Sequence, residues 1–521
     1  MKNKKLKEII NYRTFLPPAV LTILITLIGM IAPKQLGTAM TKMLNISTTY
    51  GGWIYILGSF LLVVFCIYIC FSKYGKIRLG GKNAVPEISF FKWFSIVLTS
   101  GMAAGLCYWS VAEPIGTFLN PPEFSGLTGG SAQAAEMTLR YSFLHWTLHP
   151  YAIYTSVGIV LGFMYWNAGK PFSVSSGLYP LIGKKANGKI EHWINAICIF
   201  CLIAGLGTTI GLAVDQLSNG LNFIIGKTYN LERVGLIICI LFATVAVIAA
   251  CTGLHKGVAL VSSINIYLFI ILLIFAFLFG GTLFIINNTI SSIGQYFQFF
   301  VSQSLYLEPA HQSGWVNKWT IFYLAWWLAF APLIGLFQIK LAKGRTIREY
   351  IIVNMFVPCL FLVAWFGVFG SSSIHMELNG NTAISQAILK YGNSVAFFAY
   401  LKQLPLSSIM LVVAVVAVIF SIITQTEAEI LTISDLCIKD EEGKASSDRK
   451  SPSIIKIFWG AMMSLLAFAL LYSGGLDAVQ TASIVLGLPM LILILAICFS
   501  GLKGFKNYKK YDKTLEKGED Y

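Results

Sequence analysis

The chain has 521 residues, 56% of them hydrophobic and 12% charged, with a net charge of +15 and a mean hydropathy of +0.72. A soluble protein of this size has no core large enough to hide that much apolar surface, so lipid must solvate much of it. The positive charge is not a nucleic-acid footprint, because Lys and Arg are spread over the stretches between apolar runs rather than gathered on one basic face.

The N-terminus, MKNKKLKEIINYR, is basic, and the first apolar run is FLPPAVLTILITLIGMIA. That run is long enough to cross a hydrocarbon core of about 30 Å and lacks the small-residue exit of a signal peptide, so it is expected to stay as a helix. Runs of this kind recur along the chain. Twelve spans are expected, starting near residues 15, 52, 90, 138, 191, 232, 258, 316, 350, 406, 453 and 477, which makes the protein an all-α integral membrane protein. The stretches SKYGKIRLGGK, KLAKGRTIRE and LKGFKNYKK are basic, whereas FLNPPEFSGLTGGSAQAAE has no Lys or Arg. By the positive-inside rule this alternation places both termini in the cytoplasm.

The third span contains TSGMAAGLCYWSVAEP, with Gly101 and Gly105 among small residues, and the eighth contains WWLAFAPLIG, with Pro332 and Gly335. Interrupted helices at matching places in two halves mark a midplane binding site in many transporters, while glycine in membrane helices also serves close packing. Both readings stand at this point. Between these spans lies HWTLHPYAIY, residues 145–154. Pro150 has no N–H for the Trp146 carbonyl, and its ring presses on that carbonyl, so a kink is expected there. A kink brings Trp146, Tyr151 and Tyr154 toward one face. The eighth span adds Trp319, Tyr323, Trp326, Trp327 and Phe330. Such rings either form a cage for a quaternary ammonium, which has no N–H to donate and is held by π-faces, or an interfacial aromatic belt.

Other residues call for a reading. Cys198 and Cys201 form a CxxC on an apolar helix with no second pair, which suits packing better than metal or redox work. His145 and His149 share a helix face without a carboxylate or cysteine partner nearby in sequence, and Glu113 and Arg140 are placed to pair near the ends of their spans. Residues 288–308 mix aromatic and polar side chains, as a helix along the membrane surface would. The tail beyond Ser500 is short and basic, and either contacts anionic lipid or only fixes topology. Neither a nucleophile–base pair, a metal cluster nor a phosphate-binding loop stands out, which argues against an enzyme. A channel and a substrate sensor remain the rival classes.

Four stretches carry a resemblance: GMAAGLCYWSVAEP, HWTLHPYAIY, WTIFYLAWWLAFAPLIGLFQIKLAKGRTIREYI and, more loosely, TTIGLAVDQLSNGLN. On these the chain resembles the betaine/carnitine/choline transporter family. The resemblance implies a LeuT-like core of two inverted five-helix repeats behind two extra helices, commonly assembled as a homotrimer. The corresponding division is residues 1–89 for the N-terminus and two peripheral spans, 90–287 for the first repeat, 288–315 for the surface helix, 316–501 for the second repeat and 502–521 for the tail. The family's aromatic box falls on Trp146, Tyr151, Tyr154 and Trp327, with Trp326 and Phe330 beside it and Gly101, Met102 and Ala103 from an unwound third helix. The substrate implied is a small betaine-type amine, and no cofactor is expected.

A sodium site of the coupled members would fall on Thr99, Met102, Ser421, Thr424 and Gln425. The sequence departs from the family at Tyr151, where a Trp is usual, at GMAAGL, at Asp215 and at FSIITQTEAE. Asn265 stands where sodium-independent exchangers carry an arginine. Sodium coupling, substrate exchange and proton coupling through Asp215 or Glu427 therefore all remain open, with Glu427 and Glu429 lying in or at the edge of the tenth span.

Overall fold

The computed structural model describes residues 6–226, 229–252, 258–439, 451–516 and 520–521; the side chains of residues 100–104 and 474–477, among a few others inside helices, lie outside that description. The described chain is helical throughout, with only isolated bridges such as Arg78 with Thr346. The main helices are α1 (Tyr12–Ile31), α2 (Pro33–Phe71), α3 (Phe90–Leu119), α4 (Ala132–Trp146), α5 (Leu148–Gly162), α6 (Lys189–Ile225), α7 (Leu231–Thr252), α8 (Val258–Phe279), α9 (Thr282–Ser304), α10 (Phe322–Ile339), α11 (Val357–Leu378), α12 (Ala383–Tyr391), α13 (Ala396–Lys402), α14 (Ser407–Leu436), α15 (Ser453–Lys506) and α16 (Tyr508–Tyr511). Among the described residues ten stretches are long and apolar enough to cross a bilayer. The other two expected spans fall on α3 and on α4 with α5, which are helical as well. The α15 run of 54 residues holds two of the ten, Ser453–Ser473 and Gln480–Lys506.

Burial sorts the helices. Every residue of α10 is buried, and so is nearly all of α5. A helix that is apolar all round belongs in the interior of a bundle, and these two pack on each other there. The outer helices α1, α7 and α8 keep most of their apolar surface exposed, as lipid-facing helices do. Glycines set the closest approaches. A Cβ on Gly335 of α10 would lie 3.1 Å from the Gly158 nitrogen of α5, and one on Gly58 of α2 would lie 2.9 Å from Leu491 of α15. Small residues let membrane helices approach this closely, where dispersion does the work that water exclusion does elsewhere.

The expected kink is present: α4 ends at Trp146 and α5 begins at Leu148, with Thr147 between them at φ −111° and ψ −107°. The two expected interruptions are not. Phe90–Leu119 and Phe322–Ile339 are each continuous helices, with Pro114 and Pro332 inside them. Gly105 serves contact instead, since a Cβ there would sit 3.0 Å from the Trp326 ring and 3.1 Å from that of Trp146.

One end of the bundle is stitched together by the KLAKGRTIRE loop. The Leu79 amide donates to the Arg345 carbonyl at 2.9 Å, and the Gly344 amide to the Leu79 carbonyl at 2.8 Å. Thr346 and Glu349 form a capping box, and Arg348 Nε donates to the Cys70 carbonyl at 2.8 Å. Gly344 has φ +77°, and a Cβ there would overlap the Val85 carbonyl, so only glycine fits. The C-terminal tail closes over this end. Asn167 Nδ2 donates to Asp512 Oδ2 at 2.9 Å and to the Arg78 carbonyl at 3.0 Å, and the Lys513 amide donates to the Asn167 carbonyl at 2.9 Å. The tail therefore packs on protein, rather than serving lipid contact or topology alone.

The stretch expected along the membrane surface begins earlier, at Thr282, and its polarity is inverted. Its inward face carries Asn288, Ser292 and Tyr296, while Leu283, Ile290 and Phe297 are exposed.

Candidate functional site

The break at Thr147 builds the site. With α4 ending there, the His145 carbonyl has no partner in its own helix. The Trp327 indole N–H of α10 donates to it at 3.1 Å. This bond fixes Trp327 edge-on to Trp146, with ring centres 5.5 Å apart and planes at 85°. Tyr154, two turns along α5 from the break, meets Trp327 from another side at 5.9 Å and 79°. Trp326 stacks on Trp327 at 5.5 Å and stands edge-on to Trp146 at 6.3 Å. Phe366 of α11 covers Trp146 at 4.9 Å. All of these rings are buried, so they form one interior cluster and not a belt at the interface.

The structure thus brings together Trp146, Tyr154, Trp326 and Trp327. Tyr151 is fully buried on the same helix, and Phe330 lies one turn beyond Trp326, against the Gly205 position of α6. Gly101, Met102 and Ala103 belong to the continuous α3, but their side chains lie outside the described residues. Phe366 carries no sequence signal that separates it from other membrane phenylalanines.

A carboxylate anchors the box from behind. Glu113 Oε2 accepts the Trp146 indole N–H at 2.6 Å, and Glu113 Oε1 sits 2.7 Å from His145 Nδ1. The other nitrogen of His145 bonds the Thr320 hydroxyl at 3.0 Å. Glu113 is therefore paired with His145 and not with Arg140, whose guanidinium lies over the Tyr141 and Phe299 rings. A charged group in the apolar interior needs full hydrogen bonding, and the two neighbouring donors on α4 supply it better than an arginine already stacked on two rings. His149 packs on Phe300. Neither histidine joins a metal-binding group among the described residues, and Cys198 and Cys201 are likewise free and buried.

Of the side chains expected at a sodium site, that of Met102 lies outside the described residues and the other four make local bonds. Thr99 Oγ1 donates to the Ser95 carbonyl and Thr424 Oγ1 to the Phe420 carbonyl, each inside its own helix. Ser421 accepts from Asn265 Nδ2 at 2.8 Å, and Gln425 Nε2 donates to Glu429 at 3.2 Å. Asp215 is held by Asn219 at 2.7 Å and by Tyr108 at 3.3 Å.

The fold is that of a multi-pass membrane protein, with a cluster of buried aromatic rings inside its helix bundle. Comparison with known proteins gives the family: its profile, described as betaine/carnitine/choline family transporter, matches residues 13–510, and the chain belongs to that family. It is 33% identical to a glycine betaine transporter of Bacillus subtilis, over 94% of this chain and 93% of that one. It is also 33% identical to an osmo-independent choline transporter of Acinetobacter baylyi, over 87% and 86%. An ectoine/hydroxyectoine transporter of Virgibacillus pantothenticus is 30% identical over 98% of both chains.

Proposed function

We propose that the protein imports a small betaine-type trimethylammonium compound (glycine betaine, carnitine or choline) by ion-coupled alternating access across the cell membrane. The observation that carries this is the meeting of Trp146, Tyr154 and Trp327 in one buried box. A trimethylammonium group offers no N–H, so it is held by dispersion and by attraction to ring faces at about 0.5 to 2 kcal/mol per ring. Trp146 and Tyr154, each near a right angle to Trp327, suit a cation approached from several sides. Tyr151, Trp326 and Phe330 complete the wall, with Gly101, Met102 and Ala103 of α3 as the side facing the carboxylate or hydroxyl of the substrate.

In this reading two five-helix repeats, residues 90–287 and 316–501, rock about the box. Both termini are cytoplasmic, and the protein assembles as a homotrimer. The exposed apolar face of α9, which includes Leu283, Ile290 and Phe297, then meets lipid or a neighbouring protomer. Thr99, Met102, Ser421, Thr424 and Gln425 are the positions a sodium ion would use.

The test is uptake into proteoliposomes of labelled glycine betaine, carnitine, choline, ectoine, sarcosine and glycine, with an inward sodium gradient, with an inward proton gradient, and with substrate preloaded. Concentrative uptake of a trimethylated compound supports the proposal, and uptake only against preloaded substrate makes the protein an exchanger. Selective uptake of sarcosine or glycine would mean that Tyr151, with a smaller π-face than tryptophan, has retuned the box to less methylated amines.

A further inference from the structure

We infer that Arg140 of α4 and Trp315 hold a small monovalent anion, a halide such as chloride, at the end of α10 opposite the Arg345 loop. There the turn Asn317–Ile321 runs into α10. A cavity of about 230 Å³ lies between α4, α9 and the segment before that turn. Arg140 lines it, with its guanidinium 4.8 Å from the Phe299 ring and 5.3 Å from that of Tyr141. Its Nε is buried without a hydrogen-bond partner, and so is the indole N–H of Trp315, which lines the same cavity. Two donors from separate segments, one of them charged, thus share one small space. A buried donor left unpaired costs free energy, most of all when it carries charge, and an anion between the two relieves both.

No carboxylate takes that place among the described residues, where the ion pairs are His145–Glu113, Lys340–Asp435, Lys343–Glu87 and Lys509–Asp520. Glu308 is near enough to act on Tyr141, but it is spent on the Ser313 hydroxyl and on the Gly314 and Val316 amides. Glu136, one turn before Arg140 on α4, is exposed. The rest of the wall is largely aromatic: Phe124 packs on Trp315 at 5.8 Å and on Tyr306 at 4.7 Å. Between apolar walls a guanidinium attracts an anion far more strongly than in water. The walls also choose the anion. Phosphate or sulfate would surrender much hydration for only two donors, whereas a halide gives up less and suits the weakly hydrated guanidinium. Gln303, on the same wall, has its own side-chain oxygen unpartnered. This selects an ion small enough to touch the two donors alone.

The place of the cavity gives the anion a part in substrate binding, a step that rests on the reading of the aromatic box as the substrate site. Thr320 lines the cavity, and its hydroxyl bonds His145 Nε2 at 3.0 Å. His145 Nδ1 sits 2.7 Å from Glu113, which accepts the Trp146 indole N–H at 2.6 Å. Three hydrogen bonds therefore run from the cavity wall to a ring of the box. Trp315 also packs on Tyr141, the residue after Arg140, at 4.8 Å. An anion held by Arg140 and Trp315 clamps α4 to the start of α10 and keeps Thr320 on His145. Substrate and anion should then raise each other's affinity, since such coupling is reciprocal.

The experiment uses the full chain in detergent, with sodium gluconate replaced stepwise by sodium chloride at constant sodium. Broadening of the chloride NMR line should saturate at millimolar chloride in the wild type. Affinity should fall by at least about tenfold in Arg140→Gln and several-fold in Trp315→Phe, which keeps a ring and removes the N–H. Arg140→Lys, which keeps the charge, should retain part of it. Broadening that never saturates in the wild type, or that is the same in Arg140→Gln and Trp315→Phe, overturns the inference. So does displacement of chloride by phosphate at a lower concentration than by bromide. Labelled glycine betaine or choline should bind at least about threefold more tightly in chloride than in gluconate in the wild type, and equally in both salts in Arg140→Gln. Equal affinity in the two salts in the wild type overturns the coupling through Thr320. Saturable chloride binding with neither amine bound sinks the substrate reading and leaves the anion site standing.

Discussion

The indole N–H of Trp146 points into the carboxylate of Glu113, 2.6 Å away on the neighbouring helix α3. A ring that would otherwise turn about its own bonds is thereby held edge-on to Trp327. Glu113 touches no substrate in the proposed arrangement, and its effect is on position. A hydrogen bond to a charged group contributes about 1.5 to 3 kcal/mol. Glu113→Gln should therefore weaken substrate binding by about tenfold or more, and Glu113→Leu further, with the helical content unchanged. Tryptophan fluorescence titration with substrate measures this directly.

Trp327→Leu tests the box itself. The substitution keeps apolar volume in α10 but removes both a π-face and the bond to the His145 carbonyl. Binding should fall by at least about a hundredfold, from loss of the cation–π term and of contact area together, while the protein remains folded by circular dichroism. Retained affinity would remove Trp327 from the site.

Gly105 and Gly294 make a paired test of what membrane glycines are for. A Cβ on Gly105 meets Trp326 and Trp146 at 3.0 Å and 3.1 Å, whereas one on Gly294 of α9 meets nothing within 4 Å. Gly105→Ala should shift substrate affinity several-fold by moving the rings, and Gly105→Val should abolish binding. Gly294→Ala should leave transport unchanged and raise thermal stability, by about 1 kcal/mol from helix propensity. Thermal melting in detergent beside a binding curve separates the two effects.

The tail gives a pH prediction. Hydrogen bonds from Tyr508 and Lys509 hold the exposed Asp520 carboxyl down at about 2, while burial and its bond to Asp520 push the Tyr508 phenol up to about 12. A depressed carboxyl contributes above its ordinary value near 3.8 and loses that contribution as pH falls through about 2. A raised phenol contributes below its ordinary value of 10.0 and loses that contribution as pH rises through about 12. Docking of the tail should therefore be flat across the physiological range. Asp512→Ala should release it at any pH, seen as faster hydrogen exchange at residues 78–81 and 167–169.

Much of this architecture is legible in the sequence, and the rest is hidden for identifiable reasons. The apolar runs and the HWTLHP and AWW motifs point to the bundle, the kink and the rings, because hydropathy and proline chemistry are local. The fate of Gly105 is not local. A glycine reads the same whether it lets a helix unwind or lets a ring approach, and Trp326 decides between the two from another helix. The partner of Glu113 is hidden for a similar reason. Arg140 is the obvious opposite charge, yet a buried carboxylate follows hydrogen-bond donors, and two of them stand side by side at the broken end of α4. The inverted polarity of α9 also escapes a composition count, since which face meets lipid depends on what covers the other.

The seating of the C-terminus has a consequence for how the chain is made. Asn167 finds Asp512 only after the chain has been made through Asp512, since their partnership spans 345 positions. Until then the loops around Arg78, Asn167 and Arg345 lack their cover, however well the helices before them have inserted. Asp512 and Lys513 act as a closing latch, and a polypeptide cut short before them would present those loops, unlatched, to proteases.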